Sequence, residues 1–329
     1  MASMMKRTVP IIVVLVLLLG AGGWASIRAG LWNPTDREIL SRYTTPDSKF
    51  TAIDGVRIHY MDQGHGPAVV LVHGATESLF TWDEVARRLV DRYRVIRLDI
   101  PDHGLSAADP RRRYGIADDV HRIDVLMDHL GVPRFAIAGT SWGGTIAYSY
   151  AAARPERVSA LVLISTPGVR AARPDFHVRQ SASVLGRWMS QYYQSSAELE
   201  ASTRSVVANP AFLTPFVLRQ DADLLNRRGR AAERAAKLLQ IRRDEQIPFA
   251  HEVIARVEAP TLVVWGRDNP AYAPESADDF VAALSKAKWA HKLVYPDVGH
   301  KVEREAPQRL SSDMADFMDA VVAADARPR

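Results

Sequence analysis

The chain of 329 residues contains no cysteine. Disulfides, thiolate metal sites and a cysteine nucleophile are therefore excluded, while the redox compartment stays open. There is no internal repeat and no low-complexity tract. Metal-binding spacings of the H-x-x-x-H type are missing, and His121 and His129 stand eight apart on one helical segment without an acidic partner pattern. No metal and no organic cofactor is expected. The charge excess is small, +4, and it sits in one segment: residues 169–250 carry 13 Lys and Arg against 8 Asp and Glu, the rest of the chain 29 against 30. These basic residues alternate with acids, as in "RRGRAAERAAKLLQIRRDE", and lack interleaved stacking aromatics. A solvated helical surface fits them better than a nucleic-acid footprint.

With 47% hydrophobic and 24% charged residues, the chain can bury a sizeable core. Its N-terminus is different. Lys6 and Arg7 precede the apolar run Ile11–Leu19, and Val9–Ala25 holds 17 residues without a charge. The nine-residue run suits a signal peptide, with Gly23-Trp24-Ala25 as a small-x-small cleavage site. The longer run reaches the lower limit for a membrane-spanning helix, with Trp24 and Trp32 near the outer interface. Both readings imply export: a membrane-anchored protein with its folded part outside the cytoplasm, or a secreted or periplasmic one if the segment is cleaved.

Residues 26–48 read as a linker, with Pro34 and Pro46 as breakers. Two strand candidates follow, "KFTAID" and "VRIHYMDQG", joined by Asp54-Gly55, a hairpin signal. "GPAVVLVHG" is a continuous apolar run of the kind buried parallel strands show. Strands and helices then alternate: "TWDEVARRLVD", "YRVIRLDIP", "YGIADDVHRIDVLMDHLG", "RFAIAG", "GTIAYSYAAARPE" and "VSALVLIS". Such alternation predicts an α/β fold, a mostly parallel sheet with helices on both faces. The rhythm breaks at Thr166-Pro167-Gly168 and resumes at "EAPTLVVWGRD". The intervening stretch is helical in pattern and reads as a cap inserted between two parts of the sheet. The domains are thus a signal anchor or signal peptide over 1–25, a linker over 26–48, a core over 49–168 and 251–323, a helical cap over 169–250 and a tail over 324–329.

"GTSWGG" places Ser141 between Gly139 and Gly143 where a strand meets a helix. Glycines there permit a sharp turn that exposes the hydroxyl above the strand end. A short match of this kind also arises by chance, and a serine hydroxyl needs an adjacent base. Of ten histidines, His300 follows the last strand candidate and would emerge at the carboxyl-end face, where ligands bind in open α/β sheets. His73 and His103 also occupy strand-to-helix loops, and His73 reads better as loop architecture. A base needs an acid to set its tautomer. Asp268, after the penultimate strand, fits that role better than Asp297, a turn residue. The N–H of Trp142 and that of Ala75 in "VHGAT" are the expected oxyanion donors.

The ordered motifs "LVHGA", "TWDEVARRL", "RLDIPDHGLS", "GTSWGG", "APTLVVWGRD" and "DVGH" resemble the α/β-hydrolase superfamily, in its cap-bearing, lipase- and esterase-like branch, over about residues 49–323. The resemblance implies a mostly parallel eight-stranded sheet with the cap after strand six. It also implies Ser141 as nucleophile, Asp268 as acid, His300 as base, and Ala75 and Trp142 as oxyanion donors. Haloalkane dehalogenases and epoxide hydrolases resemble the chain too but carry a carboxylate where Ser141 stands. Asp102 departs from the Gly or Arg common in the family. The implied activity is cleavage of a small-molecule carboxylic ester or related acyl compound. A carbon–carbon bond hydrolase, a lactonase, a perhydrolase and a catalytically silent binding module remain open. His73, Gly74, Trp188, Tyr192, Phe212 and Phe216 are candidate substrate contacts, although cap aromatics serve equally as the cap's own core. Neither a nucleic-acid partner nor a particular oligomeric state is indicated.

Overall fold

The strands run β1 (Ser48–Ile53), β2 (Val56–Gln63), β3 (Ala68–Val72), β4 (Arg94–Leu98), β5 (Phe135–Thr140), β6 (Val158–Ile164), β7 (Thr261–Gly266) and β8 (Ala290–Tyr295). In this computed structural model, which describes residues 17–27, 29–170, 194–230, 233, 240 and 250–326, they form one eight-stranded sheet in the order β1-β2-β4-β3-β5-β6-β7-β8. β1 and β2 pair antiparallel, as do β2 and β4, and all other neighbours are parallel. The expected hairpin is present: Asp54 and Gly55 have φ of 51° and 82°, the left-handed pair a two-residue type I′ turn requires.

The apolar runs follow from burial on both faces. Along β3, Val69 and Leu71 pack with Trp82, Leu89, Leu310 and Met314. Val70 and Val72 face the opposite core, with Ile123, Leu126, Ile146 and Phe280. Each fully buried aliphatic side chain of this size stabilises the fold by about 1.5–3 kcal/mol before entropy is counted. The helices Asp83–Leu89 and Pro307–Asp325 cover one face; Ile116–His129, Trp142–Ala153 and Ser276–Ala283 cover the other. The last of these elements in sequence, Pro307–Asp325, extends into the expected tail.

The chain leaves the sheet after β6 and returns at β7. Within that insertion the helices Ser196–Arg204 and Pro215–Leu225 are described. Thr214 accepts from the Val217 N–H, and Pro215 opens the helix where its missing N–H costs nothing. The segment read as a linker is partly structured. Asp36–Tyr43 is a helix with a Thr35–Glu38 capping box. Its Ile39 and Tyr43 are buried against Leu79, Phe80, Leu105 and Leu224. Residues 17–27 are helical, with Leu17, Leu18 and Leu19 exposed. No helix among the described residues is long and apolar enough to cross a membrane. Residues 1–16, which hold most of the N-terminal apolar run, lie outside them.

Register brings the strand ends together. Val72 pairs with Gly139, Thr140 with Ile164, and Gly266 with Tyr295. The loops after β3, β5, β7 and β8 therefore emerge along one edge, which is where the candidate residues lie.

Candidate active site

Ser141 links β5 to the helix Trp142–Ala153 with φ 49° and ψ −122°, a strained backbone for a residue with a side chain. Tight packing enforces it. A Cβ on Gly139 would lie 2.1 Å from the Gly143 carbonyl oxygen, and one on Gly143 would lie 2.2 Å from that of Val72. The Ser141 N–H donates to the Ile164 carbonyl at 2.8 Å, and the Ser141 carbonyl accepts from the Gly144 N–H at 2.9 Å. Trp142 is the first helical residue, so its N–H has no carbonyl one turn back.

His300 lies in the loop after β8, anchored by its N–H to the Val206 carbonyl at 2.8 Å. Its Nε2 stands 3.2 Å from Ser141 Oγ. The ring packs on Tyr272, centroids 5.7 Å apart. Burial lowers the imidazole pKa to about 4; the charge of Lys301 adds to this and that of Glu77 opposes it. His300 is thus neutral over the physiological range, as a base must be.

The expected acid is not the residue that meets this base. Asp268 is exposed, and its N–H donates to the Val298 carbonyl at 3.0 Å. The side chain facing His300 Nδ1 is Asn269, with Nδ2 at 3.2 Å. Asn269 Oδ1 accepts from the Ala271 N–H at 2.9 Å and the Tyr272 N–H at 3.1 Å. This turn after β7 points Asn269 inward and leaves Asp268 outside. Asp297 is exposed at φ 57°, the turn residue its sequence context suggested.

The loop after β3 closes over the elbow. A Cβ on Gly74 would lie 3.3 Å from Ser141 Cβ and 2.8 Å from Glu77 Oε2, so this glycine lets the loop lie against the serine. His73 is buried: its Nδ1 donates to the Gly74 carbonyl at 2.8 Å and its Nε2 accepts from the Ile100 N–H at 3.2 Å. It is part of the loop's frame, which corrects its reading as a substrate contact. Glu77 takes the Gly74 N–H at 3.1 Å and pairs with Lys301. Burial would raise its pKa, but Lys301 and Arg304 bring it down to about 2. Glu303 goes the other way, up to about 7, because burial and the charge of Glu77 disfavour its ionised form. It accepts from Thr140 Oγ1 at 2.8 Å, directly before the elbow.

Residues 67–303 match the family model of the alpha/beta hydrolase fold. The chain belongs to the α/β-hydrolase family. Haloalkane dehalogenase 2 of Mycobacterium tuberculosis is 29% identical to this hydrolase over 262 residues, covering 78% of this chain and 89% of the relative. A solved membrane phospholipase A, described as a bacterial virulence factor, superposes with a TM-score of 0.73 at 25% identity, covering 96% of this chain and 99% of that one. The enol-lactonase of Burkholderia xenovorans LB400 shares the fold at a TM-score of 0.68 and 20% identity, covering 82% of this chain and all of that one, 100%.

The remaining candidates of this α/β-hydrolase are scattered. Phe212 is half-buried under the Arg304 guanidinium, 5.7 Å from its ring centre, and Phe216 is 65% exposed. Trp188 and Tyr192 lie outside the described residues. Asp102 and His103 line a cavity beside the β3 loop, with Thr76, Asp221, Arg227 and Arg230. Burial pushes Asp102 up to about 6, opposed by Arg230, 2.9 Å away, and Arg227. No group of His, Asp and Glu among the described residues is arranged to hold a metal ion. Asn269, Glu77 and Lys301 were missed in sequence. Asn269-Pro270 after an apolar strand is an Asx-turn signal that marks the inward position; the charge of Asp268 drew attention to its neighbour instead.

Proposed function

We propose that this protein is a serine hydrolase that cleaves a carboxylic ester, or a related acyl compound, through an acyl-enzyme. The observation that carries this is Ser141 Oγ, on a strained elbow, 3.2 Å from the Nε2 of a buried neutral histidine. Ser141 Oγ attacks the carbonyl carbon while its proton passes to His300 Nε2. The N–H groups of Ala75 and Trp142 receive the oxyanion, each worth about a hundredfold or more in rate. The alcohol leaves with the proton, and water then releases the acid by the same route. A serine at this position argues against dehalogenation despite the dehalogenase relative. The likeness to the membrane phospholipase supports an ester substrate presented at a lipid surface. So do the exposed Leu17, Leu18, Leu19, Leu31 and Trp32, which suit an exported, membrane-tethered protein.

The contact of His300 Nδ1 with an amide nitrogen in place of a carboxylate favours a second reading, a silent binding module of hydrolase fold. A fluorophosphonate probe separates the two. Labelling of the wild type and not of Ser141→Ala, with turnover of a short-chain p-nitrophenyl ester, supports the enzyme. Absence of labelling and of turnover across an ester panel supports the binding module. Mass spectrometry of the mature N-terminus distinguishes anchor from cleaved signal.

A further inference from the structure

Asn269 stands where a catalytic base would meet its orienting acid. Its Oδ1 is already committed to the Ala271 and Tyr272 N–H groups. Turning the amide would strip both and bury two unpaired donors. Its Nδ2 therefore faces His300 Nδ1, and Nδ2 has only protons to offer.

Given the Ser141–His300 pair read above, we propose that Asn269 is the positioning residue of His300 and holds the ring in the tautomer protonated on Nε2. In that state Nδ1 accepts from the amide, and the Nε2 proton is donated to Ser141 Oγ at 3.2 Å. The resting ring is poised to give Ser141 a proton, not to take one. To serve as base, His300 must lose the Nε2 proton to water and gain one at Nδ1, which sets Nδ1–H against the amide protons. The imidazolium formed on attack meets the same opposition. Asn269 thus restrains the base at this site. Among the described residues, Lys301, Glu77, Tyr272 and Ser141 also face the ring.

The direct test is ¹⁵N NMR of the His300 ring in the full chain at neutral pH. The wild type is expected to show Nε2 protonated and Nδ1 bare. Asn269→Asp keeps an acceptor for the two backbone N–H groups and is expected to reverse the pattern. It should raise kcat on a short-chain p-nitrophenyl ester at least tenfold, with a ceiling of about 10⁴-fold, the cost of the opposite exchange in a serine triad. KM should stay within about twofold, and the acid limb of the pH–rate profile should move to higher pH. Asp268→Asn should leave ring and rate unchanged. A wild-type ring protonated on Nδ1, a kcat and pH profile unmoved by Asn269→Asp, or a loss of base function in Asp268→Asn would each overturn the proposal. If neither wild type nor Asn269→Asp hydrolyses any ester, the hydrolase reading fails, and the wild-type ring spectrum still decides the role of Asn269.

Discussion

Two histidines of this protein each stand between a serine and a third polar side chain, and only one of them meets a strained backbone. His59 bridges Ser48 Oγ at 2.9 Å and Asp99 Oδ2 at 2.6 Å. His300 bridges Ser141 Oγ at 3.2 Å and Asn269 Nδ2 at 3.2 Å. By contacts alone the first is the better acid–base–serine relay. Yet Ser48 opens the antiparallel edge strand β1, and its hydroxyl is occupied by the Thr45 N–H at 3.1 Å. Asp99 ties the loops together, accepting the Leu79 N–H at 2.7 Å and the Leu105 N–H at 2.8 Å. Burial would raise the pKa of Asp99, but the hydrogen bond and charge of His59, with His73 and the Leu79 N–H, hold it below the ordinary carboxylate value. The comparison teaches that a relay is not a site. What distinguishes Ser141 is its left-handed backbone, the helix N-terminus behind it and the glycine loop against it.

The sharpest way to break the contrast is to remove each serine. Ser141→Ala is expected to lower ester turnover on the order of a hundredfold or more, since the base is already restrained, while Ser48→Ala leaves kcat/KM within about twofold, since nothing there binds a transition state. Equal losses, measured at matched folded fractions, would erase the distinction. Next in size is the third member of each relay. Asp99→Asn breaks a fully buried pair and should cost stability of about 3–5 kcal/mol, read by urea denaturation, with activity per folded molecule unchanged. Its counterpart at the other relay, Asn269→Asp, should change the rate, read as kcat per folded molecule.

A milder test uses pH. With the imidazole of His300 lowered to about 4 by burial, the acid limb of kcat/KM should fall near pH 4, not near the ordinary value of about 6.5. The same shift bears on stability. Between about pH 6.5 and 4 the unfolded chain binds a proton at His300 that the folded chain refuses, so stability falls as pH drops through that window. His300→Gln should flatten that part of the stability curve, measured by thermal melts at stepped pH. The smallest effect is expected from Asp297→Asn at the exposed turn, within about 0.5 kcal/mol by the same melts.

Much of the architecture was legible. The apolar runs of β3 to β7, the Asp54-Gly55 turn and the break after β6 follow from period, turn chemistry and burial on two faces. Ser141 was legible because few residues tolerate its surroundings, and His300 because it follows the last strand. The helix Asp36–Tyr43 was passed over between its prolines, although Thr35 and Glu38 spell a capping box. Asp268 was favoured over Asn269 because charge is visible in a sequence and direction is not.

By itself the sequence determined the sheet, its order of alternation and the elbow, because hydrophobic period and glycine sterics act over a few neighbouring residues. Only the tertiary structure decided which side chains meet His300. That depends on a turn held by two N–H groups on Asn269 Oδ1 and on a 3.2 Å contact between loops 31 residues apart. Such a contact is set by where two strand ends converge, and neither loop encodes it alone.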